Sequence, residues 1–445
     1  KSQGLNNSAF QQEKQGVTMN VSSSRRASLM LAALGCACQA AQAGFADDGK
    51  GSLEVRNLYF DRDFHGDTAS QSRRAEWAQG FMLKWQSGYS DGVVGFGLDA
   101  VGMLGIKLDS SPDRSGTGLL PRGSDKRAAD DYGKAIATFK AKLSQTELLV
   151  GGLSPQLPLL ASNYSRLFPQ WFNGVQLVSK DLDDFTFTVL QVNATKLRDS
   201  TDFEDLTAMA QQGAYPATVS SDRLYYAGAD YQPLKNLTVS LHTSDLEDLF
   251  RRDFASFKYR VAAGPGEVFT EWRWFNAHDQ GRALLGEVDS RTLSTNFGYN
   301  LFGHTFSGGY QKVSGDTAYA YVGGTDTYLF SEQQVSTFAL AKERAWMLRY
   351  DYNFAALGIP GLTFNVRYVK GDQVDPQRIA TAKGRTLKAR GGEGEEWERT
   401  TDITYVVQSG FLKNLSLRWR NASMRSNFAD AADENRLILG YVIEF

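Results

Sequence analysis

The closing stretch ENRLILGYVIEF (434–445) puts Leu437, Leu439, Tyr441, Ile443 and Phe445 on one parity and Arg436, Gly440 and Glu444 on the other. A period of two belongs to a β-strand, whose successive side chains leave on opposite faces. Working backwards, Trp346, Leu348, Tyr350, Tyr352 and Phe354 alternate with Met347, Arg349, Asp351 and Asn353. Leu293, Thr295, Phe297, Tyr299 and Leu301 alternate with Ser294, Asn296, Gly298 and Asn300, and Ala135, Ala137, Phe139 and Ala141 with Lys134, Thr138, Lys140 and Lys142. One face suits hydrocarbon and the other suits water.

A soluble sandwich alternates as well, so the connections have to decide. Short turns are expected near Ser90, Ser144, Leu182, Pro233, Gly264, Gly303, Gly358 and Phe411. Longer polar stretches fall between them at 61–76, 105–132, 153–172, 195–222, 244–254, 276–291, 313–345, 370–397 and 421–435. Read as nine long and eight short connections in strict alternation, they give 18 strands with both ends on the short-turn side. Outer-membrane barrels sort their connections in this way, with short periplasmic turns and long outer loops. The expected fold is therefore all-β, an 18-stranded antiparallel transmembrane β-barrel. Its closure is required, because an unpaired backbone group in hydrocarbon costs several kcal/mol. Sixteen to 18 strands leave an aqueous lumen, so the architecture predicts a pore. Tyr59, Trp77, Trp85, Trp272, Trp274, Trp397 and Trp419 fall near strand ends, where interface girdles lie.

Composition agrees with export. Residues 1–18 precede the first methionine, Met19, and carry no periodic apolar pattern; they are read as lying outside the fold. From Met19 a basic pair, Arg25 and Arg26, leads into a small-and-apolar stretch, Ala27 to Ala37, and then Ala41-Gln42-Ala43. This reads as a signal peptide over 19–43 with cleavage after Ala43, leaving 44–445 as the barrel domain. Leu34-Gly35-Cys36 hints at lipid attachment, but Ala33 stands where a larger aliphatic residue is expected. Both cysteines, Cys36 and Cys38, fall inside that segment, so the exported part has no thiol chemistry. Removing 1–43 takes away Lys1, Lys14, Arg25, Arg26 and Glu13, leaving 44 basic and 49 acidic residues, a net charge of −5. Nucleic acid would call for a basic surplus. No apolar run reaches the 18 residues a membrane helix needs.

The residues that would narrow and bias such a lumen are arginines and one unusual loop. The stretch LSPQLPLLASNYSRLFPQWF (153–172) holds Pro155, Pro158 and Pro169 and is too apolar for water. It is expected inside the barrel as a constriction, presenting Arg166. Arg349, Arg367, Arg399, Arg418 and Arg420 are read on polar strand faces; in Leu417-Arg418-Trp419-Arg420 the two guanidinium groups would stand roughly 7 Å apart. A planar, permanently charged fork matches a carboxylate in two hydrogen bonds. Weak, repeated sites of this kind are what passage requires. Such arginines can also pair with acids across the wall and merely brace it. Asp316 and Asp326, in 313–345, are candidates for an acidic opposite wall, with Asp326 expected to be solvated. His65, His242, His278 and His304 are scattered, no Gly-x-Ser-x-Gly elbow is present, and Gly95-Phe96-Gly97 runs on into a strand. Neither an enzyme nor a cofactor is indicated.

Several stretches bring in a resemblance: VRNLYFDRDF (55–64), EWAQGF (76–81), VGFGLDAVGMLGIKLD (94–109), SRLFPQ (165–170), GLTFNVRYVKG (361–371), YVVQSG (405–410), LKNLSLRWR (412–420) and ENRLILGY (434–441). With these the chain resembles the OprD family of outer-membrane porins from about Ser52 to Phe445. The resemblance implies an 18-stranded barrel narrowed by inward loops, with an arginine ladder guiding small carboxylate solutes such as amino acids or aromatic acids. By motif, Arg62, Arg74, Arg166, Arg418 and Arg420 would be ladder members. Members associated with basic amino acids resemble GDxPFDYIG in the seventh long loop, whereas this chain reads GDTAYAYVG (315–323), keeping Asp316 but with Ala320 in place of the second acid. That difference points towards plain or aromatic carboxylates.

The remaining expectations concern surroundings. The barrel would sit in outer-membrane lipid as a monomer or weak trimer, and Phe445 would be the signal read by the outer-membrane insertion machinery. A general diffusion porin is the alternative within the class, and a barrel enzyme with a rim histidine facing a serine is the alternative outside it.

Overall fold

The structure is a computed structural model, described over residues 48–445 apart from 67, 68, 70, 217 and 377–391. The expected signal peptide and its cleavage after Ala43 lie outside the described residues.

The wall strands, in chain order, are β1 (Lys50–His65), β2 (Arg73–Gln86), β3 (Gly95–Asp109), β4 (Asp131–Leu143), β5 (Thr146–Leu153), β6 (Trp171–Ser179), β7 (Phe185–Lys196), β8 (Leu224–Leu234) and β9 (Leu237–Leu246). They continue as β10 (Phe250–Ala263), β11 (Gly266–Asp279), β12 (Asp289–Leu301), β13 (His304–Gly315), β14 (Arg344–Asn353), β15 (Leu362–Val374), β16 (Gly394–Val406), β17 (Ser416–Ser426) and β18 (Ala431–Glu444). Each pairs antiparallel with its sequence neighbours, and β1 pairs with β18, so the 18-stranded sheet closes on itself without an edge. At the seam Gly51 N donates to Phe445 O at 2.8 Å and Phe445 N donates back to Gly51 O at 3.0 Å. A Cβ at position 51 would overlap the Phe445 ring, which is largely exposed and would have to shift.

Alternation sorts the faces. In β4, Tyr132, Lys134, Ile136, Thr138 and Lys140 are buried on the inner side, while Phe139 is exposed outward. In β18, Arg436 and Ile438 are buried within, and Leu437, Leu439 and Ile443 face out. Trp77, Trp274 and Trp419 are exposed on the outer surface. Two-residue hairpins at 144–145, 235–236, 264–265 and 302–303 lie at the end that carries Lys50 and Glu444. Between β12 and β13, Phe302 (φ 47°) and Gly303 (φ 85°) both take left-handed angles, the pattern of a type I′ turn, whose twist matches that of the flanking strands.

Loop lengths depart from strict alternation. Connections 66–72, 247–249 and 427–430 are no longer than 87–94, 354–361 and 407–415 at the opposite end. Much of what reads as long loop at 61–76, 244–254 and 421–435 is strand, because pairing runs on to Asp63↔Arg73, Leu246↔Phe250 and Met424↔Ala432. Polar residues there belong to strand tops that stay in the ladder, so polarity marked the loss of apolar surroundings and not the end of the strand. The strand count is unaffected.

Among the described residues L3 (154–170), L4 (197–223) and L7 (316–343) fold into the barrel, and connection 110–130 joins them through buried Leu119 and Leu120. L7 pairs with L4 through Ala208↔Val322 and Met209↔Tyr321, and with L3 through Asp326 N donating to Ala161 O at 3.0 Å. Their apolar side chains form the core inside the barrel. Leu159 and Leu160 of L3, Leu206 and Ala208 of L4, and Tyr319, Ala320 and Val322 of L7 pack with the wall residues Leu190, Val192, Phe254 and Phe275. A second cluster joins Leu167 and Phe168 of L3 to Leu58, Phe60 and Met82 of the wall.

Candidate functional site

Between L3, L7 and the wall lies a polar cavity of about 710 Å³. Its charged lining is Arg166 of L3, Arg198 of L4, Arg367, Arg420 and Arg436 of the wall, and Asp326 and Glu332 of L7. A second cavity of about 440 Å³ continues towards the terminal end and holds Arg349, Arg367, Arg418, Arg420, Asp351 and Asp402. Arg367 and Arg420 line both, so the two are consecutive stations of one lumen. Guanidinium groups outnumber carboxyl groups in each. A further concavity, about 900 Å³, lies on the outward surface among Phe297, Phe306, Leu348 and Tyr368, a place for lipid rather than for a water-soluble solute.

Strand parity sets the arginines in place. Arg418 and Arg420 share the inner face of β17 with buried Ala422 and Met424, and Asp402 of β16 stands opposite. Arg418 Nε donates to Asp402 Oδ1 at 2.7 Å, and Arg420 Nε lies 2.8 Å from Asp402 Oδ2. One carboxylate therefore serves two cations. Arg420 pairs in register with Arg436, whose Nε donates to Glu434 Oε1 at 2.5 Å. Glu434 also takes Arg62 Nε at 2.6 Å.

Arg166 donates through Nε to Thr117 O at 2.7 Å and stacks over the Phe60 ring, 4.9 Å from its centre. Arg198 NH1 donates to Asn163 Oδ1 at 2.8 Å and to Ser165 Oγ at 2.7 Å. Burial, reinforced by Arg436 and Arg198, pushes the Arg166 guanidinium well below its ordinary value. Burial is the main cause, and the positive charges of Arg436 and Arg198 add to it against the opposing pull of Glu434. On the opposite side, burial pushes Asp326 up to about 6 against the pull of Arg198, and pushes Glu332 up to about 7 with help from Asp326.

Arg62, Arg74, Arg166, Arg349, Arg367, Arg418 and Arg420 face the lumen, but not all are equally available. Arg367 donates to Gln333 Oε1 at 2.8 Å, Glu332 O at 2.7 Å and Phe330 O at 3.3 Å, so much of its fork holds L7. Arg349 is engaged bidentately by Asp351 at 2.7 and 2.6 Å. Arg74, opposite Arg62 in register, keeps its Nε without a partner and lies 5.3 Å from the Phe64 ring centre.

Two expected members are elsewhere. Arg399 stands on the outward parity of β16 with Trp397, Ile403 and Tyr405, and donates to Asn421 Oδ1 at 2.7 Å. The inner face of that strand carries Glu396, Glu398, Thr400 and Asp402, so its charge alone misassigned it. Asp316 is half exposed and pairs with Lys342 Nζ at 2.8 Å, away from both cavities. Ala320 is fully buried in the inner core and lines neither cavity. The lumen acids of L7 are Asp326 and Glu332. Asp326, expected in solvent, is instead gripped by the Asn163 amide between L3 and L7.

Sequence reasoning left Arg436 and Arg198 out of the ladder. The opposite parity of Arg436 to Leu437 marks it as inward, whereas no local pattern marks Arg198, which L4 carries into the lumen. Among the described residues no histidine bonds to a serine: His65 meets Asp433, His242 meets Tyr226 and Asp230, and His304 meets Tyr350.

Comparison with known proteins agrees with this geometry. The model of the family described as outer membrane porin, OprD family, matches residues 43–445. The porin-like protein GalP of Pseudomonas putida is 37% identical over 407 residues, covering 91% of this chain and 94% of its own length. The crystal structure of Pseudomonas aeruginosa OccK9 (OpdG) superposes with a TM-score of 0.84 at 44% identity, covering 90% of this chain and 100% of that one. Pseudomonas aeruginosa OpdK, whose crystal structure was determined with vanillate, superposes with a TM-score of 0.82 at 37% identity over the same shares. With a closed 18-stranded barrel, a narrowed polar lumen and these relatives, the chain is an outer-membrane channel and belongs to the OprD family of outer membrane porins.

Proposed function

We propose that this channel takes up small carboxylate-bearing solutes, aromatic acids among them, and that its lumen arginines hand the carboxylate from one station to the next. The observation that carries this reading is the pair of consecutive cavities joined at Arg367 and Arg420, each with more guanidinium than carboxyl groups. A carboxylate entering from the loop end meets Arg62 and Arg74, then Arg166, Arg198 and Arg436, then Arg420, and last Arg418. Each site is already partly satisfied by protein acceptors, which keeps binding weak enough for release.

A relative captured with vanillate, an aromatic carboxylate, supports the substrate class. The filling of the lumen by L3, L4 and L7 argues against a general diffusion pore. Uptake into proteoliposomes tests the reading by comparing benzoate with benzamide, which differ in charge and hardly in size. Benzoate is expected to enter about tenfold faster, a difference of about 1.4 kcal/mol. Equal rates would leave the arginines a purely structural role.

A further inference from the structure

A buried acid pair stands behind L7, outside the solute path. Glu343 ends L7 and Glu396 lies on the inner face of β16; they are 0% and 1% exposed. Gly371 of β15 pairs with both Ala345 and Glu396, and a Cβ at Gly371 would overlap Glu343 Oε1. The missing side chain is what lets Glu343 reach across β15 to Glu396.

Each carboxyl group has one satisfied oxygen and one orphan. Glu343 Oε2 accepts from Leu340 N at 2.9 Å. Glu396 Oε1 accepts from Gln211 Nε2 at 2.6 Å and from Ser336 Oγ at 2.7 Å. Glu343 Oε1 and Glu396 Oε2 have no donor from any other group. Among the described residues no cation pairs with either carboxyl group. Asp372 of β15 is held by Arg344 of β14 at 2.8 Å, and Glu398 of β16 takes the amides of Gln334, Val335 and Ser336. Lys342 of L7 binds Asp316, Lys312 of β13 donates to Lys342 O at 2.8 Å, and Glu395 on the outward side of β16 meets Lys370. Two unscreened negative charges buried in contact are prohibitively costly.

We propose that Glu343 and Glu396 share a single proton between their orphan oxygens, and that this acid pair is a latch positioning L7 and, through Gln211, L4 over the lumen. The shared hydrogen bond ties the exit of L7 to Ser336 in its middle. Gln211 extends the tie by accepting from Thr337 Oγ1 at 3.0 Å and Ala339 N at 2.8 Å. Burial and the neighbouring Glu396 raise the Glu343 carboxyl well above its ordinary value. The folded chain therefore binds more protons than the unfolded one, and stability falls as pH rises from the ordinary glutamate value towards the raised one. Above the raised value both groups are charged, repel, and free L7.

Single-channel recording of the full channel across neutral to alkaline pH tests the latch, with potassium chloride as the only permeant salt so that no carboxylate preference enters. The wild type is expected to pass from quiet current to loop-driven fluctuation on alkalinisation. E343Q and E396Q each replace the shared proton with a permanent amide donor. Both are expected to keep the neutral-pH conductance and lose the alkaline transition. An unchanged transition in both variants, or none in the wild type, overturns the proposal. Infrared difference spectra of wild type against E343Q serve as a second reading at neutral pH: a protonated-carboxyl band present only in the wild type supports the shared proton, and its absence contradicts it.

Discussion

Asp402 Oδ1 accepts the Nε hydrogen of Arg418 at 2.7 Å, and the same carboxylate lies 2.8 Å from Arg420 Nε. It is the only acid within ion-pair reach of either arginine among the described residues. Removing its charge while keeping its shape should free both forks for a solute. Asp402→Asn is expected to raise anion-over-cation permeability about threefold or more, read from the reversal potential in a salt gradient. Threefold corresponds to about 0.65 kcal/mol, the size of a solvent-screened ion pair.

L7 is pinned to the wall by Glu398, which accepts from the amides of Gln334 (3.0 Å), Val335 (3.1 Å) and Ser336 (2.8 Å). Glu398→Ala leaves those buried donors without an acceptor, at a cost of about 1–3 kcal/mol. The expected outcome is larger current fluctuation and faster passage of uncharged sugars in liposome swelling. A sugar rate equal to that of the wild type would mean L7 is held by its other ties.

Arg273 of β11 makes a second anchor. Its guanidinium lies 3.9 Å from the Tyr328 ring centre and 3.8 Å from that of Phe330, and NH1 donates to Tyr328 O at 2.7 Å. A desolvated cation between two rings contributes about 2 kcal/mol or more. Arg273→Lys loses the flat stacking surface and is expected to raise protease sensitivity within 316–343, scored by the fragments released.

At the barrel seam Gly51 leaves room for the Phe445 ring. Gly51→Val is expected to push the Phe445 ring out of the seam and lower the yield of folded barrel, visible as loss of the heat-modifiable band on gels. Phe445→Ala, which removes the ring, should restore part of that yield in the double variant.

Selectivity should follow pH through L7. Asp326 and Glu332, raised to about 6 and about 7, are neutral below those values and charged above them. Lowering pH from 8 to 5.5 (chosen as about one unit above Glu332 and half a unit below Asp326) removes negative charge from a wall that faces fixed cations. Anion preference should therefore rise on acidification, and Asp326→Asn should remove the more acidic part of that rise.

The strand count, the inner faces of β17 and β18, and the inward course of L3 were legible because a period of two and a run of buried-type side chains survive in local sequence. The pairing of Met424 with Ala432 and the other strand tops were not, since a strand rising out of lipid turns polar without leaving the ladder. Arg399 shows the same limit: a charge looks inward until the parity of Trp397 and Ile403 is followed through it. L7 misled for a further reason. Its acids at 316 and 326 sit ten residues apart on one loop, and only the pairing of Ala208 with Val322 and Ala161 with Asp326 determines which of them reaches the lumen.

The most direct measurement is benzoate flux through the double variant Arg418→Gln/Arg420→Gln beside arabinose flux through the same proteoliposomes. The account predicts benzoate flux reduced about tenfold, about 1.4 kcal/mol, with arabinose unchanged. Benzoate flux equal to that of the wild type would contradict it.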